Sequence, residues 1–208
     1  MASEATVSDA TVYVVDDDRD VRKSLAELVT SIKLPVRCYG SATEFLDDFD
    51  ADLPGCLVVD VRMPGMSGIE LQEQIRRLGA DMPVIVLTGH GDVPMAVRAL
   101  KSGAVDFLEK PCRAQTLIDR IQHALQIDAQ FRAARARKEE TGKRLASLTK
   151  RERSVVEMIA SGMTTKGIAA EFGVSTQAID AHRGRAMKKL NVATVPALAV
   201  LVAGAKGS

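Results

Sequence analysis

Four apolar runs in the 208-residue chain end on a residue that can do chemistry. Asp16 and Asp17 follow TVYVV, Asp60 follows CLVV, Thr88 follows PVIVL, and Lys110 follows VDFLE. Two unit charges about 4 Å apart at an effective dielectric near 20 repel by about 4 kcal/mol. Three carboxylates brought together must therefore raise one another's pKa or take up a cation. Hard carboxylate oxygens suit Mg²⁺ (or Mn²⁺), which binds through one or two carboxylates and shares its remaining sphere with water and phosphate. Lys110 adds a compact ammonium and Thr88 a hydroxyl. The chemistry that uses all these parts is phosphoryl transfer to a carboxylate. Asp60 is the nucleophile, the cation and Lys110 screen the incoming phosphoryl oxygens, and Thr88 captures one of them after transfer.

These residues lie 44, 28 and 22 positions apart, so only the fold can gather them. Strand signals at TVYVV, VRCY, CLVVD, PVIVLT and VDFLE alternate with helical stretches over 21–33, 42–49, 69–78, 94–101 and from 114 onward. Five apolar strands separated by helices need crossover connections, hence a parallel sheet covered on both faces. Right-handed crossovers make a flavodoxin-like doubly wound five-stranded sheet of order 2-1-3-4-5 the leading topology, and such sheets carry their sites at the carboxyl ends of the strands. Asp18 and Asp20 read as solvent-facing or helix-start charges, since Asp favours a helix N-terminus.

The helix from Ala114 carries an apolar stripe at Leu117, Ile121, Ala124 and Leu125. Past Ile127 the stripe thins to QFRAARARKEETGKRL, which predicts a solvated helical linker to about Glu140 that frays or bends at Gly142; a disordered linker is the alternative. Four short helices follow, over 150–160, 165–172, 176–190 and 195–203, with no strand signal. The chain thus divides into an α/β domain over 10–127, a helical linker over 128–144 and an all-α domain over 145–208.

Charge divides the same way. Residues 1–127 hold 13 Lys and Arg against 20 Asp and Glu, and residues 143–208 hold 11 against 4, net −7 and +7. The basic half suits a polyanion partner. Aromatic residues make up 3% of the chain, with no Trp, which argues against single-strand binding by rows of stacked rings. The opening MASEATVSDAT lacks a basic segment followed by an apolar one, and the longest apolar run, 195–203, falls short of the roughly 20 residues that span a bilayer. The expected setting is therefore cytoplasmic, with no membrane partner. Cys38, Cys56 and Cys112 have no ligand-like spacing and read as small buried hydrophobes.

In TTKGIAAEFGVSTQAIDAHRGRAMKKL, Ala169, Gly173 and Ile179 fall at helix-turn-helix spacing. Ala169 lets two helices approach, Gly173 can take positive φ at the turn, Ile179 packs the second helix back, and Ser175 is its N-cap. Ile179, Ala186 and Leu190 form the inward stripe of that second helix, with His182 or Arg183 beside it. Outward, Gln177 could read adenine, Ala181 touch a thymine methyl and Arg185 take guanine, while Lys166, Arg183 and Lys188 suit phosphates. Asp180 belongs to the same face, where phosphate would repel it unless it accepts from cytosine N4. Glu152 is expected to pair with a nearby base and lock helices together.

The set DDD, LVVDVRMPGMSG, VLTGHGDVPMAV and GAVDFLEKP resembles the receiver domain of two-component response regulators, over residues 10–127. The segment from LTKRERSVVEMIA to KKLNV, with its KGIAA and HR elements, resembles the LuxR-type DNA-binding domain of the NarL/FixJ class, over residues 145–205; TGHGDVPMAV favours the FixJ-like branch. The resemblance implies that Asp60 is phosphorylated by a sensor histidine kinase, that Asp16 and Asp17 hold Mg²⁺ with Arg62 adding a backbone carbonyl, and that Thr88 and Lys110 bind the phosphoryl group. It implies a switch role for Phe107, a cis Lys110–Pro111 bond, and a homodimer that forms on phosphorylation and binds double-stranded DNA, with RNA polymerase as a further partner. His90, two residues after Thr88, reads as a polar loop residue. Two rivals remain at this stage. An Mg²⁺-dependent aspartyl phosphatase places a second carboxylate two residues after its nucleophile, whereas Asp60 is followed by Val61 and Arg62. An RNA-binding antiterminator regulator would follow a receiver with three helices, and the helix-turn-helix spacing argues against it. A receiver locked in one state by its long helix is a third arrangement.

Overall fold

The computed structural model of the chain describes residues 10–89 and 93–206. Its elements follow in the order β1 (Thr11–Val15), α1 (Arg19–Ser31), β2 (Val36–Tyr39), α2 (Ala42–Asp48), β3 (Gly55–Asp60), α3 (Gly68–Arg77), β4 (Val84–Thr88), α4 (Val93–Lys101), β5 (Asp106–Glu109) and α5 (Ala114–Ala146). Four helices complete the chain: α6 (Lys150–Ala160), α7 (Thr165–Phe172), α8 (Thr176–Leu190) and α9 (Val195–Lys206). His90 lies outside the described residues. Two compact units result, divided between Ala133 and Ala134 within α5.

In the first unit all five strands are parallel, in the order β2-β1-β3-β4-β5. The central strands β3 and β4 are buried at every position, as strands covered on both faces must be. Alternation along each strand divides the core in two. Val12, Val14, Cys56, Val58, Ile85 and Leu87 face Val29 of α1 and Leu117, Ile121, Ala124 and Leu125 of α5. Tyr13, Val15, Leu57, Val59 and Val86 face Phe45 of α2, Leu71 and Ile75 of α3, and Ala99 of α4. A strand slipped by one residue would exchange these two sets, so register is strongly specified. Cys38 departs from expectation. It is exposed, because β2 is an edge strand with its middle turned to water, whereas Cys56 is buried and Cys112 half-buried.

Side-chain caps begin most helices. Asp18 caps α1 by accepting from the amides of Asp20 and Val21, and Ser41 caps α2. Ser67 and Glu70 form a reciprocal capping box at α3, as Thr149 and Glu152 do at α6. In the second unit Leu148, Val155, Ile168, Ile179, Ala186, Leu190 and Leu198 close one core from all four short helices. No single helix among the described residues is long and apolar enough to cross a membrane.

The expected break at Gly142 is absent. α5 runs through it to Ala146, supported by the i,i+4 pairs Arg135–Glu139 and Arg144–Glu140, at 3.1 and 2.9 Å. A Cβ at Gly142 would meet nothing within 4 Å, whereas one at Gly55 would lie 2.2 Å from the Thr11 backbone oxygen and 2.8 Å from the Tyr13 ring. Gly142→Ala is therefore expected to stabilise the chain by about 0.5–1 kcal/mol, and Gly55→Ala to destabilise it by about 1–3 kcal/mol. Urea unfolding of the full chain checks both signs.

Candidate functional site

Asp16 directly follows β1, while β3 and β4 end on Asp60 and Thr88; the three are 2%, 8% and 1% exposed. The turn after β5 supplies Lys110, whose backbone amide donates to the Thr88 carbonyl at 2.6 Å. That bond holds the β5–α5 turn against the end of β4, and the Lys110–Pro111 peptide within it is cis. The Lys110 ammonium then donates to Asp16 Oδ2 and to Asp60 Oδ1, each at 2.5 Å. Asp60 Oδ2 accepts from the Arg62 amide at 2.7 Å, and Asp16 Oδ1 from the Asp18 amide at 3.0 Å. Each carboxylate therefore has one oxygen on a backbone amide and the other on a shared cation.

Burial raises the Asp16 carboxyl above its ordinary pKa, against the opposing pull of the Lys110 hydrogen bond. Burial also disfavours the Lys110 charge, but the hydrogen bonds it donates to Asp16 and Asp60 outweigh that and hold the ammonium above its usual range. Lys110 is thus charged at neutral pH, with an acceptor on each side.

Asp17, expected as a partner of Asp16, is exposed, because successive residues at a strand end point to opposite sides. The Arg62 backbone amide donates to Asp60. Among the described residues no group of three or more carboxylate, imidazole or thiol side chains is arranged to hold a metal ion. Lys110 stands between the two buried carboxylates. The donor chemistry still fits Mg²⁺, which needs only one or two carboxylates when water and phosphate complete its sphere. Phe107 is half-buried and packs against the core face that includes Val86 and Ala99.

Two supporting residues were not foreseen. Arg22 of α1 donates to the Asp16 carbonyl at 2.6 Å, and the Gly68 amide at the start of α3 donates to the Val61 carbonyl at 3.1 Å. A Cβ on Gly68 would sit 2.2 Å from the Asp60 carbonyl oxygen, so glycine is required where α3 meets the end of β3. The PGMSG stretch held that signal.

In the second unit Gly173 takes φ 63° and ends α7, Ser175 caps α8, and Ala169 and Ile179 are buried between the two helices. Lys166, Gln177, Ala181 and Lys188 are exposed. Asp180 is matched by Arg183 at 3.0 Å, and Arg183 also donates to Thr165 Oγ1 of α7 at 3.4 Å. Internal pairing therefore offsets the repulsion expected of Asp180 near phosphate. Arg185 donates to His182 Nδ1 at 3.0 Å and lies 3.7 Å from Glu152. Glu152, 3% exposed, accepts from Lys189 at 2.7 Å and from the Thr149 amide at 2.9 Å, locking α6 to α8 as its expected base pairing required.

Comparison with known proteins agrees over both units. The model for the response regulator receiver domain matches residues 12–122, and that for bacterial regulatory proteins of the luxR family matches residues 146–202. The response regulator protein TodT of Pseudomonas putida is 42% identical over 88% of this chain and 81% of its own. The transcriptional regulatory protein FixJ of Azorhizobium caulinodans is 45% identical over 90% of this chain and 89% of its own. Among solved structures, the response regulator StyR superposes with a TM-score of 0.87 at 42% identity, covering 94% of this chain and 99% of that one.

The Lys189 hydrogen bond, followed by that of the Thr149 amide, holds Glu152 down at about 2, from an ordinary 4.5. A depressed carboxylate pKa contributes stability that is complete above the unfolded-state value and lost as pH falls through the folded one. Glu152→Gln is expected to cost about 1–3 kcal/mol at pH 7. That difference should shrink as pH falls from about 4.5 towards 2, which thermal unfolding of the full chain at stepped pH reads.

Proposed function

The chain belongs to the response regulators that join a receiver domain to a LuxR-type DNA-binding domain, and it regulates transcription in response to phosphorylation; from that premise we propose that Asp60 is the phosphoacceptor of a sensor histidine kinase. The observation that carries this reading is the Lys110 ammonium, 2.5 Å from a carboxylate oxygen of both Asp16 and Asp60.

Asp60 attacks phosphorus with one carboxylate oxygen. The new P–O bond forms as the bond from phosphorus to the donor nitrogen breaks, and that nitrogen leaves with its electron pair and takes up a proton. Lys110 is placed to transfer one of its contacts from Asp60 to a phosphoryl oxygen, and the buried Thr88 hydroxyl to donate to another. Mg²⁺, held by Asp16, Asp60, Asp17 and the Arg62 carbonyl, would screen the phosphoryl charge. Without a carboxylate two residues beyond the nucleophile, water attack on the acyl phosphate lacks an obvious acid or base. The chain is accordingly a regulator that turns over only its own phosphoryl group.

The acquired group adds about −2 charge beside Asp16. Thr88 and Phe107 respond to it, and the surface around α4 and β5 changes so that two chains pair and present two α8 helices to two half-sites. Gln177, Ala181 and Arg185 face base edges, and Lys166, Arg183 and Lys188 face phosphates, with Asp180 neutralised by Arg183. RNA polymerase is the partner through which binding alters transcription, and the cytoplasm is the setting.

The full chain, incubated with Mg²⁺ and phosphoramidate, should gain one phosphoryl group by intact mass and bind duplex DNA at least about 5-fold more tightly. Asp60→Asn should do neither. Affinity should also fall steeply with salt, as release of counterions from several phosphates requires. A salt-independent affinity, or an equal gain in Asp60→Asn, contradicts the reading, and preference for hairpin RNA over duplex would favour the antiterminator class.

A further inference from the structure

At the end of β3 remote from Asp60, one side chain closes the strand. Asp128 of α5, 3% exposed, accepts from the Gly55 amide at 3.0 Å across 73 residues of sequence. The same carboxylate accepts from Arg132 Nε at 3.0 and 2.9 Å. The Arg132 guanidinium then spans the loop before β3, donating to the carbonyls of Asp52 at 2.7 Å, Ala51 at 3.5 Å and Leu53. A stretch that reads in sequence as the start of a solvated linker is therefore clasped to the sheet, one turn before the division between Ala133 and Ala134.

Two features separate this clasp from ordinary packing. The fully buried apolar residues of α5 end at Leu125, and beyond it only the half-buried Ile127 and the exposed Phe131 continue along Met82 and Val84, so hydrophobic contact constrains the face of the helix only loosely there. Asp128 and Arg132, at i,i+4, dictate it instead by directional bonds. A buried ion pair is also a poor way to gain stability, since a well-packed apolar pair of similar volume often does as well or better; its distinctive property is a fixed register. The strand it grips has Asp60 at its other end. All six residues of β3 are buried, with Gly55–Val59 paired to β1 and Leu57–Asp60 to β4, so the strand links its two ends stiffly.

We infer that Asp128 and Arg132 are positioning residues that set the rotational phase of α5 against β3, so that phosphorylation at one end of the strand reaches the DNA-binding unit through the helix held at the other. This rests on Asp60 being the phosphoacceptor. Neither residue touches the reacting atoms. Loss of the clasp leaves the carboxylate chemistry intact and uncouples it from output.

The test uses the full chain, phosphoramidate with Mg²⁺, and a duplex selected from a random pool by the phosphorylated wild type. Asp128→Asn keeps an acceptor for the Gly55 amide but loses the charge. Arg132→Lys keeps the charge but loses the fork that reaches three carbonyls, and reads the same coupling should Asp128→Asn fail to fold. Both should gain the phosphoryl group at the wild-type rate by intact mass. The ratio of DNA affinities with and without phosphorylation should fall by about 5-fold or more. A purely structural clasp would lower the unfolding temperature and leave that ratio at the wild-type value, and this result overturns the inference. A wild type that shows no gain on phosphorylation would instead overturn the reading of Asp60, so the two failures are distinct.

Discussion

Two carboxylates buried at one end of a parallel sheet require a positive charge between them. Asp16 and Asp60 are forced into proximity by the pairing of β1 with β3, and their surroundings offer too little water to screen them. The Lys110 ammonium meets that requirement at 2.5 Å from each. Much of the local architecture follows: the β5–α5 turn that brings Lys110 back to Thr88, the glycine that lets α3 start against Asp60, and the Arg22 contact that fixes the Asp16 backbone. A centre balanced by one movable cation is suited to exchange. On the proposed role of Asp60, an incoming phosphoryl group would compete with the carboxylates for Lys110.

The same device recurs twice at structural positions. Glu152 joins α6 to α8 by accepting from Lys189 and from the amide that opens α6, and draws Arg185 towards itself. Asp128 joins α5 to the start of β3. In each case a buried carboxylate bonds to a backbone amide and to a cation, which fixes two elements in one relative register. Register is what a helix-turn-helix must present to DNA and what a linker helix must conserve between two units.

Fold and site differ in how far the sequence disclosed them, and the difference is physical. Strands and several helix starts were legible because each has a local cause: β3 and β4 are unbroken apolar runs, and Asp18 and Ser175 are short polar side chains placed to cap. Asp16, Asp60, Thr88 and Lys110 were legible jointly, since each ends a strand or follows one, and the topology then brings them to one edge. Asp17 was not separable from Asp16 by type; only the alternation at the strand end turns one inward and the other to water. Asp128 and Arg132 look in sequence like one more i,i+4 ion pair on a charged helix, because nothing local reveals that an amide 73 residues earlier lacks an acceptor. Gly142 misled for the converse reason. Its intrinsic helix penalty is about 1 kcal/mol, less than the flanking ion pairs and good helix formers on both sides can offset together.

The most direct test of the account is to locate the covalent phosphoryl group. After incubation with Mg²⁺ and phosphoramidate, borohydride reduces an aspartyl phosphate to homoserine, and peptide mass mapping then finds the altered residue. The account predicts homoserine at position 60 alone, with none formed in Asp60→Asn. Reduction at Asp16 or Asp17, or equal phosphoryl uptake by Asp60→Asn, would contradict it.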